Sequence, residues 1–144
     1  MKVLITGGCG FIGYNFVNYI TSLNTESLDV IVLDSLASNT SKQNSKLLPK
    51  NVDFIHGDIN EIEKYSHLLP NTDVVFNFAA ETHVDNSVFD PNAFIKSNVL
   101  GLSTLLQNCY KNEVKDFIHI STDEVYGSSK EKFFIESDAL NPSS

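Results

Sequence analysis

Residues 2–13 read KVLITGGCGFIG, and this stretch decides the fold of the chain. The run Lys2–Thr6 is short and apolar, and it predicts a buried strand. Three glycines then follow at intervals of three residues, and they are Gly7, Gly10 and Gly13. An apolar pattern at helical spacing begins before the third glycine. A strand, a glycine-rich turn and a helix in direct succession predict the first unit of a parallel α/β sheet.

The rest of the chain repeats this alternation of strand and helix. Further apolar runs predict strands at Asp29–Asp34, Val52–His56, Asp73–Phe78 and Asp116–Ser121. Their apolar residues are continuous, which is typical of parallel strands covered on both faces. Helices are predicted at Asn60–Leu69 and from an Asp90-Pro91 start to Cys109, and the polar stretch Ser35–Lys50 predicts a partly irregular crossover. We therefore expect an α/β fold, a doubly wound parallel sheet of the Rossmann type, with strand order 3-2-1-4-5.

Composition excludes several classes of partner. The 144 residues, 42% of them apolar, predict one domain over residues 1–144. All ten basic residues are Lys, and eighteen acidic residues give a net charge of -8, so we expect no nucleic acid and no membrane as partner. An anionic ligand would then be held by backbone dipoles. Cys9 and Cys109 lack metal-ligand spacing, which predicts reduced thiols in a cytoplasmic protein and no metal site.

The glycine motif and the end of the second strand predict a dinucleotide site. Asp34 follows Gly13 at about the 20-residue distance expected for the acid that binds an adenosine ribose. A carboxylate would repel a 2′-phosphate, and the sequence has no Arg to bind one, so NAD is favoured over NADP. Asp58, at the end of the third strand, has two interpretations of equal weight, an adenine contact or a helix cap.

Two polar segments after later strands predict the reacting end of the site. Residues 78–87 read FAAETHVDNS and residues 119–127 read HISTDEVYG. His83 alone is more often a structural histidine than a catalyst. Ser121 and Glu124 fit a helix-capping box, but the polar run that begins at Gly127 predicts no helix to cap. Adjacent carboxylates at a ligand-facing strand end are better interpreted as a paired acid and base.

These motifs, in this order and spacing, resemble the extended short-chain dehydrogenase/reductases, and within them the nucleotide-sugar 4,6-dehydratases. The resemblance covers essentially all of the chain and depends most on AAETHVD and STDEVYG. It implies a homodimeric NAD enzyme that dehydrates dTDP-glucose or UDP-glucose in deoxysugar biosynthesis, for example of rhamnose. A nucleotide-sugar epimerase or decarboxylase, or a non-catalytic NAD-binding module, are the alternatives.

The motifs and the resemblance together assign the site residues. The positions for NAD are Gly7, Gly10, Phe11, Ile12, Gly13, Asp34, Ser35, Leu36, Ala37, Asp58, Ile59, Phe78, Ala79, Ala80, Thr82 and Ser97. The positions for the sugar are Thr82, His83 and Thr122, and the catalytic positions are Thr122, Asp123 and Glu124. In that family's reaction hydride leaves sugar C4, Glu124 would remove the C5 proton, Asp123 would protonate the departing C6 hydroxyl, and hydride returns to C6.

The chain departs from the family in its redox base, a Tyr with a Lys four residues later on a helix. Tyr126 and Lys130 have this spacing, but the intervening glycine and serines predict a loop, so we interpret the spacing as coincidental. We expect the chain to be the incomplete N-terminal NAD-binding domain of a larger enzyme, ending before the last strand. The nucleotide-sugar-binding domain is then absent, and the chain alone is expected to be inactive.

Overall fold

The computed structural model of the protein describes residues 1–23, 27–129 and 133–143. Within them, five parallel strands form one sheet in the order β3-β2-β1-β4-β5, which confirms the predicted fold class and strand order. The strands are β1 (Lys2–Thr6), β2 (Asp29–Asp34), β3 (Val52–His56), β4 (Val74–Asn77) and β5 (Asp116–His119). The last two are shorter than predicted: β4 begins at Val74 rather than Asp73 and ends before Phe78, and β5 ends before Ile120.

Helical segments connect these strands. The α-helices are α1 (Phe11–Ser22), α2 (Asn39–Asn44), α3 (Val84–Phe89), α4 (Pro91–Phe94) and α5 (Leu102–Lys111). Over the described ranges, three segments are 3₁₀-helical, at Ser45–Leu47, Ile59–Leu68 and Asp123–Tyr126, and Ile95–Gly101 is π-helical. Helix α3 was not predicted. In the parts of the chain that the structure describes, no helix has the length and apolar character that a membrane span requires.

Two connections differ from the prediction for local reasons. The crossover after β2 contains α2, which begins where Ser38 Oγ accepts a hydrogen bond from Ser41 N at 3.0 Å. The predicted helix after β3 is instead a 3₁₀-helical segment with non-helical backbone at Glu61 and Tyr65. A serine cap starts α2, and non-helical residues interrupt the segment after β3. Both are local effects that the periodicity of apolar residues does not show.

The long helical connection over residues 91–111 begins as predicted, since Asp90 Oδ1 accepts a hydrogen bond from Ala93 N at 3.2 Å. Its predicted single apolar face is wrong. Leu105 is fully buried, whereas Val99 is 58% exposed. The π-helical stretch Ile95–Gly101 shifts the register between the two ends, so apolar residues spaced for one α-helical face point in different directions.

The core lies on both faces of the central strands. Along β1, Leu4 belongs to one cluster, with Ile31 and Val75, and its neighbours Val3 and Ile5 belong to the cluster on the opposite face. The expectation that all strands are covered on both faces is wrong for the two edges. In β5, Ile118 is 45% exposed, and β3 also has exposed positions. The central strands therefore form a rigid base for the loops at their carboxyl ends.

Candidate functional site

A cleft of about 620 Å³ lies at the carboxyl ends of the strands. It brings together most of the residues predicted to bind a dinucleotide or sugar: Gly7, Gly10, Phe11, Asp34, Ser35, Ala37, Asp58, Ile59, Phe78, Ala79, Ala80, Thr82, His83 and Ser97. Six predicted residues are not among its lining residues, and they are Ile12, Gly13, Leu36, Thr122, Asp123 and Glu124. The cleft therefore contains most of the predicted cofactor positions and none of the predicted catalytic ones.

The glycine-rich turn is close-packed against the strands on either side of β1. Gly7 has φ of 70°, and a Cβ atom there would lie 2.4 Å from Ala79 N on the loop after β4. A Cβ atom on Gly13 would lie 2.3 Å from the carbonyl oxygen of Gly7. Both positions accept only glycine without rearrangement, so the turn brings the N-terminus of α1 close to the sheet.

The first turn of α1 meets the requirements of an anion site. Gly10 occupies the N-cap position, where it has no side chain to satisfy the free N–H groups of the helix. The first turn contains no acidic residue, and Gly10 and Phe11 both line the cleft. A Cβ atom on Gly10 would meet only the Gly7 carbonyl oxygen within 4 Å, at 3.3 Å. The local backbone therefore leaves room for a phosphate group to approach the helix N-terminus.

Asp34 is held by backbone groups beside this turn. Its side chain is buried, with 7% exposure, although it ends β2 at the cleft. Oδ2 accepts a hydrogen bond from Cys9 N at 2.8 Å, and Oδ1 accepts one from Leu36 N at 2.8 Å. Each carboxylate oxygen has a second lone-pair direction, so a fixed carboxylate remains able to accept from ribose hydroxyls.

The two cysteine thiols are free and buried. Burial, followed by the nearby charge of Asp34, raises the pKa of Cys9 to about 12. Burial raises the pKa of Cys109 to about 11. Both side chains therefore remain thiols near neutral pH and are poor nucleophiles.

Asp58 caps the helical segment that follows β3. Its Oδ1 accepts hydrogen bonds from the backbone N and the side-chain Nδ2 of Asn60, both at 2.8 Å. Of the two interpretations of Asp58, the cap is therefore observed. The residue also lines the cleft, so an adenine contact stays a prediction.

The loop after β4 is pinned by an asparagine that sequence analysis did not identify. Asn98 Oδ1 accepts from Glu81 N at 2.8 Å, and Asn98 Nδ2 donates to Glu81 O at 2.9 Å. Two residues further along the loop, His83 has φ of 74°, an uncommon conformation for a residue other than glycine. The pair of bonds fixes the loop at the point where Thr82 and His83 line the cleft.

Sequence analysis also missed other residues that line the cleft, among them Lys96 and three hydroxyl residues, namely Ser38 at the N-cap of α2 and Thr40 and Ser41 in its first turn. We expected only backbone dipoles to face an anionic ligand. This expectation is incomplete, because the cationic residue Lys96 also lines the cleft. Its position next to Ser97, which was predicted, is the signal that could have identified it. Ser38, Thr40 and Ser41 together form what we call the hydroxyl wall of the cleft. The serine and threonine residues that follow Asp34 in the sequence are the signal that could have identified this wall.

The segment after β5 carries the predicted acid and base on an exposed single turn. Thr122 Oγ1 accepts from Glu124 N at 3.2 Å and donates to Asp123 Oδ1 at 3.4 Å. The expectation that no helix follows is wrong, since a 3₁₀ turn spans Asp123–Tyr126 and is capped by Thr122 rather than Ser121. Gly127, with φ of 78°, ends this helix after one turn, which is too short for a periodic pattern.

A buried polar contact links this segment to the glycine-rich turn. Thr6 Oγ1, at the end of β1, donates to Asn77 Oδ1 at the end of β4. Asn77 Nδ2 lies 3.0 Å from His119 Nδ1 at the end of β5. Three adjacent strands are thus joined by side chains at the carboxyl edge, directly before the turn and the carboxylate pair.

Tyr126 stands at the end of a helical turn that does not continue into residues 127–129. It ends the single 3₁₀ turn, and its ring stacks on Phe134 with 5.3 Å between centroids. Residues 127–129 are not helical, as predicted, and Lys130 lies outside the described residues. Among the described side chains, no group of three or more His, Cys, Asp or Glu is arranged to hold a metal ion.

Comparison with known proteins places these features in a family. The profile described as GDP-mannose 4,6 dehydratase matches residues 4–144. The dTDP-glucose 4,6-dehydratase of Mycolicibacterium smegmatis is 38% identical over 147 residues, which cover 100% of this chain and 44% of that protein. The chain thus spans about half the length of the curated relatives it matches.

Solved structures give the same result for the fold. DesIV, the dTDP-glucose 4,6-dehydratase of Streptomyces venezuelae determined with NAD bound, is 38% identical, with a TM-score of 0.87, over 99% of this chain and 46% of that one. UDP-glucose 4-epimerase of Thermus thermophilus, in complex with NAD, is 32% identical, with a TM-score of 0.85, over 99% and 45%. With a profile match over nearly its whole length, the chain belongs to the GDP-mannose 4,6 dehydratase family.

Proposed function

We propose that the chain is the NAD-binding domain of a longer enzyme that dehydrates a nucleotide-activated hexose to its 4-keto-6-deoxy form. The observation that carries the proposal is the cleft that joins Asp34 and the N-terminus of α1 to the loop at Thr82. The residues 1–144 form the dinucleotide half, and a second domain would bind the nucleotide of the sugar. The carrier would be dTDP or UDP.

The residues around the cleft fit NAD. The free N–H groups in the first turn of α1 would hold the pyrophosphate, and Asp34 would accept from the ribose hydroxyls. A carboxylate at this position disfavours a 2′-phosphate, which supports NAD over NADP. Ser97, Thr82 and Phe78 would line the nicotinamide half.

Bound NAD would supply the hydride acceptor and donor for the reaction. Oxidation of the sugar at C4 acidifies the proton on C5, and the carboxylate of Glu124 would accept that proton. Protonated Asp123 would give its proton to the C6 hydroxyl, which leaves as water when the C5–C6 double bond forms. Thr122, bonded to Asp123 and to Glu124 N, would orient both groups.

The direct test is an assay of the longer enzyme with dTDP-glucose and with UDP-glucose. We expect a product that has lost one water, identified as the 4-keto-6-deoxy sugar by mass spectrometry and NMR. Formation of the C4 epimer without loss of water would contradict the proposal. That outcome would support the second candidate, a nucleotide-sugar epimerase, which the similarity to UDP-glucose 4-epimerase favours.

The chain by itself gives a second test. Because the cleft contains the adenosine and pyrophosphate positions, the 144-residue chain should bind NAD detectably by calorimetry or saturation-transfer NMR. It should turn over no nucleotide sugar, since Tyr126 ends a single 3₁₀ turn and residues 127–129 after it are not helical, which makes it an unsuitable redox base. We further propose a homodimeric, cytosolic enzyme of deoxysugar biosynthesis, for example of rhamnose, in which the two free thiols stay reduced.

A further inference from the structure

The peptide groups on the two sides of Cys9 are held by two different side chains. The Gly8–Cys9 peptide donates its N–H to Asp34 Oδ2 at 2.8 Å. The Cys9–Gly10 peptide accepts at its oxygen from Asn44 Nδ2 at 3.0 Å. Asp34 ends β2 and Asn44 ends α2, so the segment from the end of β2 to the end of α2 contacts the glycine-rich turn at both of its ends.

The Cys9–Gly10 peptide needs such a contact because glycines surround it. Gly8 precedes Cys9 and Gly10 follows it, and each adds backbone freedom that must be removed to form one turn geometry. The N–H of this peptide donates to the Gly7 carbonyl oxygen at 3.1 Å, and Asn44 holds its oxygen. The orientation of this peptide directs the first free N–H groups of α1, which begin at the next residue.

Asn44 also connects the turn to the hydroxyl wall of the cleft. Ser38 and Ser41, near the start of α2, line the cleft, whereas Asn44 is half-buried and is not among the lining residues. The hydrogen bond from Asn44, the last residue of α2, to the Cys9 carbonyl oxygen therefore attaches the hydroxyl wall to the glycine-rich turn. Because Asn44 does not line the cleft, it can affect a ligand only through the glycine-rich turn and the hydroxyl wall.

We propose that Asn44 is a positioning residue for the dinucleotide: through the Cys9–Gly10 peptide it orients the N-terminus of α1 toward the pyrophosphate. As far as NAD is concerned, this inference rests on the proposed function. Its effect must be larger for ligands with a pyrophosphate than for adenosine, which reaches only the Asp34 end of the cleft.

The test compares Asn44→Ala with Asn18→Ala in the full-length protein. Asn18 is a matched control because it is also half-buried and its Nδ2 also donates to a backbone carbonyl, that of Tyr14 at 2.8 Å, within α1. Removing one such bond corresponds to about a 3- to 10-fold change in an equilibrium constant. We expect Asn44→Ala to weaken NAD and ADP-ribose by about that factor in calorimetry, and adenosine, measured by NMR titration, much less. Asn18→Ala should change none of the three.

A second variant covers the case in which Asn44→Ala does not fold. Asn44→Asp keeps the size of the side chain and puts a carboxylate oxygen against the Cys9 carbonyl, so it should weaken NAD at least as much. Affinity for NAD equal to wild type in either folded variant would overturn the inference. Equal losses for ADP-ribose and adenosine would also overturn it, since they would indicate a general loosening of the cleft.

Amide exchange in the ligand-free protein separates this inference from the proposed function. We expect the Gly10 amide to exchange faster in Asn44→Ala than in wild type or Asn18→Ala. If wild type binds no NAD, the proposed function fails. Faster Gly10 exchange would then still support the contact between Asn44 and the turn, and unchanged exchange would overturn it.

Discussion

The tips of β2 and β5 both end in carboxylates at the same edge of the sheet, but their surroundings differ. Asp34, after β2, is buried and holds two backbone N–H groups at 2.8 Å. Asp123 and Glu124, after β5, are exposed on one 3₁₀ turn outside the described lining of the cleft. β2 lies between two strands, whereas β5 is an edge strand. The protein's own backbone fixes the position of the buried carboxylate. The position of the exposed pair depends instead on the contacts that a bound ligand makes with it.

This difference separates the expected effects of substitutions. Changes around Asp34 should alter stability and NAD affinity together, because the same bonds serve both. Changes at the β5 tip should alter only the rate of reaction, because those side chains contribute little to packing.

The largest effect is expected at the β5 tip in the longer enzyme. Glu124→Gln removes the base, and loss of a positioned proton-transfer group lowers the rate about 10²- to 10⁴-fold. NAD affinity and Tm should stay at wild-type values. Glu63→Gln, at an exposed position in Ile59–Leu68, is the control and should react at the wild-type rate. Near wild-type dehydration by Glu124→Gln would show that the assigned role is wrong.

The next effect tests the glycine-rich turn with a matched pair. Gly13→Ala places a Cβ atom 2.3 Å from the Gly7 oxygen, so it should cost about 1–3 kcal/mol of stability and also weaken NAD. Gly10→Ala meets the same oxygen at 3.3 Å and lines the cleft. It should lower the Tm less than Gly13→Ala does, because its contact is the longer of the two, and it should lose NAD affinity. Thermal unfolding and calorimetry measure both, and equal Tm values for the two variants would contradict the packing argument.

Asp34→Asn is expected to have an effect on both quantities that is no larger than that of Gly13→Ala. An amide can accept from only one of the two N–H groups, and its NH₂ would face the other, which costs about 1–3 kcal/mol. NAD affinity should fall with stability. Asp58→Asn is the control for stability alone, because Asp58 uses one oxygen in its cap and an amide oxygen can replace it. Should Asp34→Asn unfold at the same temperature as wild type, the two backbone contacts would not be stabilising.

The smallest effect is expected at the amino edge of the sheet, where Asp73 pairs with Lys115 and accepts from Lys2 N at 2.8 Å. The hydrogen bond from Lys115, then that from Lys2 N, holds the pKa of Asp73 below its usual value. Its contribution to stability is therefore present above the usual aspartate pKa and is lost as pH falls through the lower folded value. Asp73→Asn should flatten this acid part of the pH–Tm profile slightly, and less so at high salt.

The sheet could be predicted because its signal is repeated along the chain. β1, β2 and β3 have the predicted bounds, since each is a continuous apolar run ended by polar or glycine residues. The face of the connection over residues 91–111 could not be predicted, because the π-helical stretch Ile95–Gly101 changes the register without a sequence mark. Periodicity reports which residues are apolar, whereas the register also depends on how the helix packs.

The candidate site divides in the same way. Local spacing was sufficient to identify Gly7, Gly10 and Asp34 as neighbours, because a strand–helix–strand unit with paired parallel strands places the end of its second strand beside the turn after its first. Asn44 and Asn98 were missed, since each bonds to a backbone group far away in sequence, at Cys9 and at Glu81. Contacts of this kind leave no pattern in a single chain.

The sequence by itself determined the order of the strands, the glycine turn and the residue types at the carboxyl edge. Each of these follows from properties of neighbouring residues, namely apolar runs, positive φ at glycine and the short range of backbone hydrogen bonds. Only the tertiary structure decided which of these residues share the cleft, that Asp34 is held by Cys9 N, and that Glu124 lies on an exposed turn. Those outcomes depend on distances between segments far apart in the chain, which are set when the strands pair and the helices pack against them.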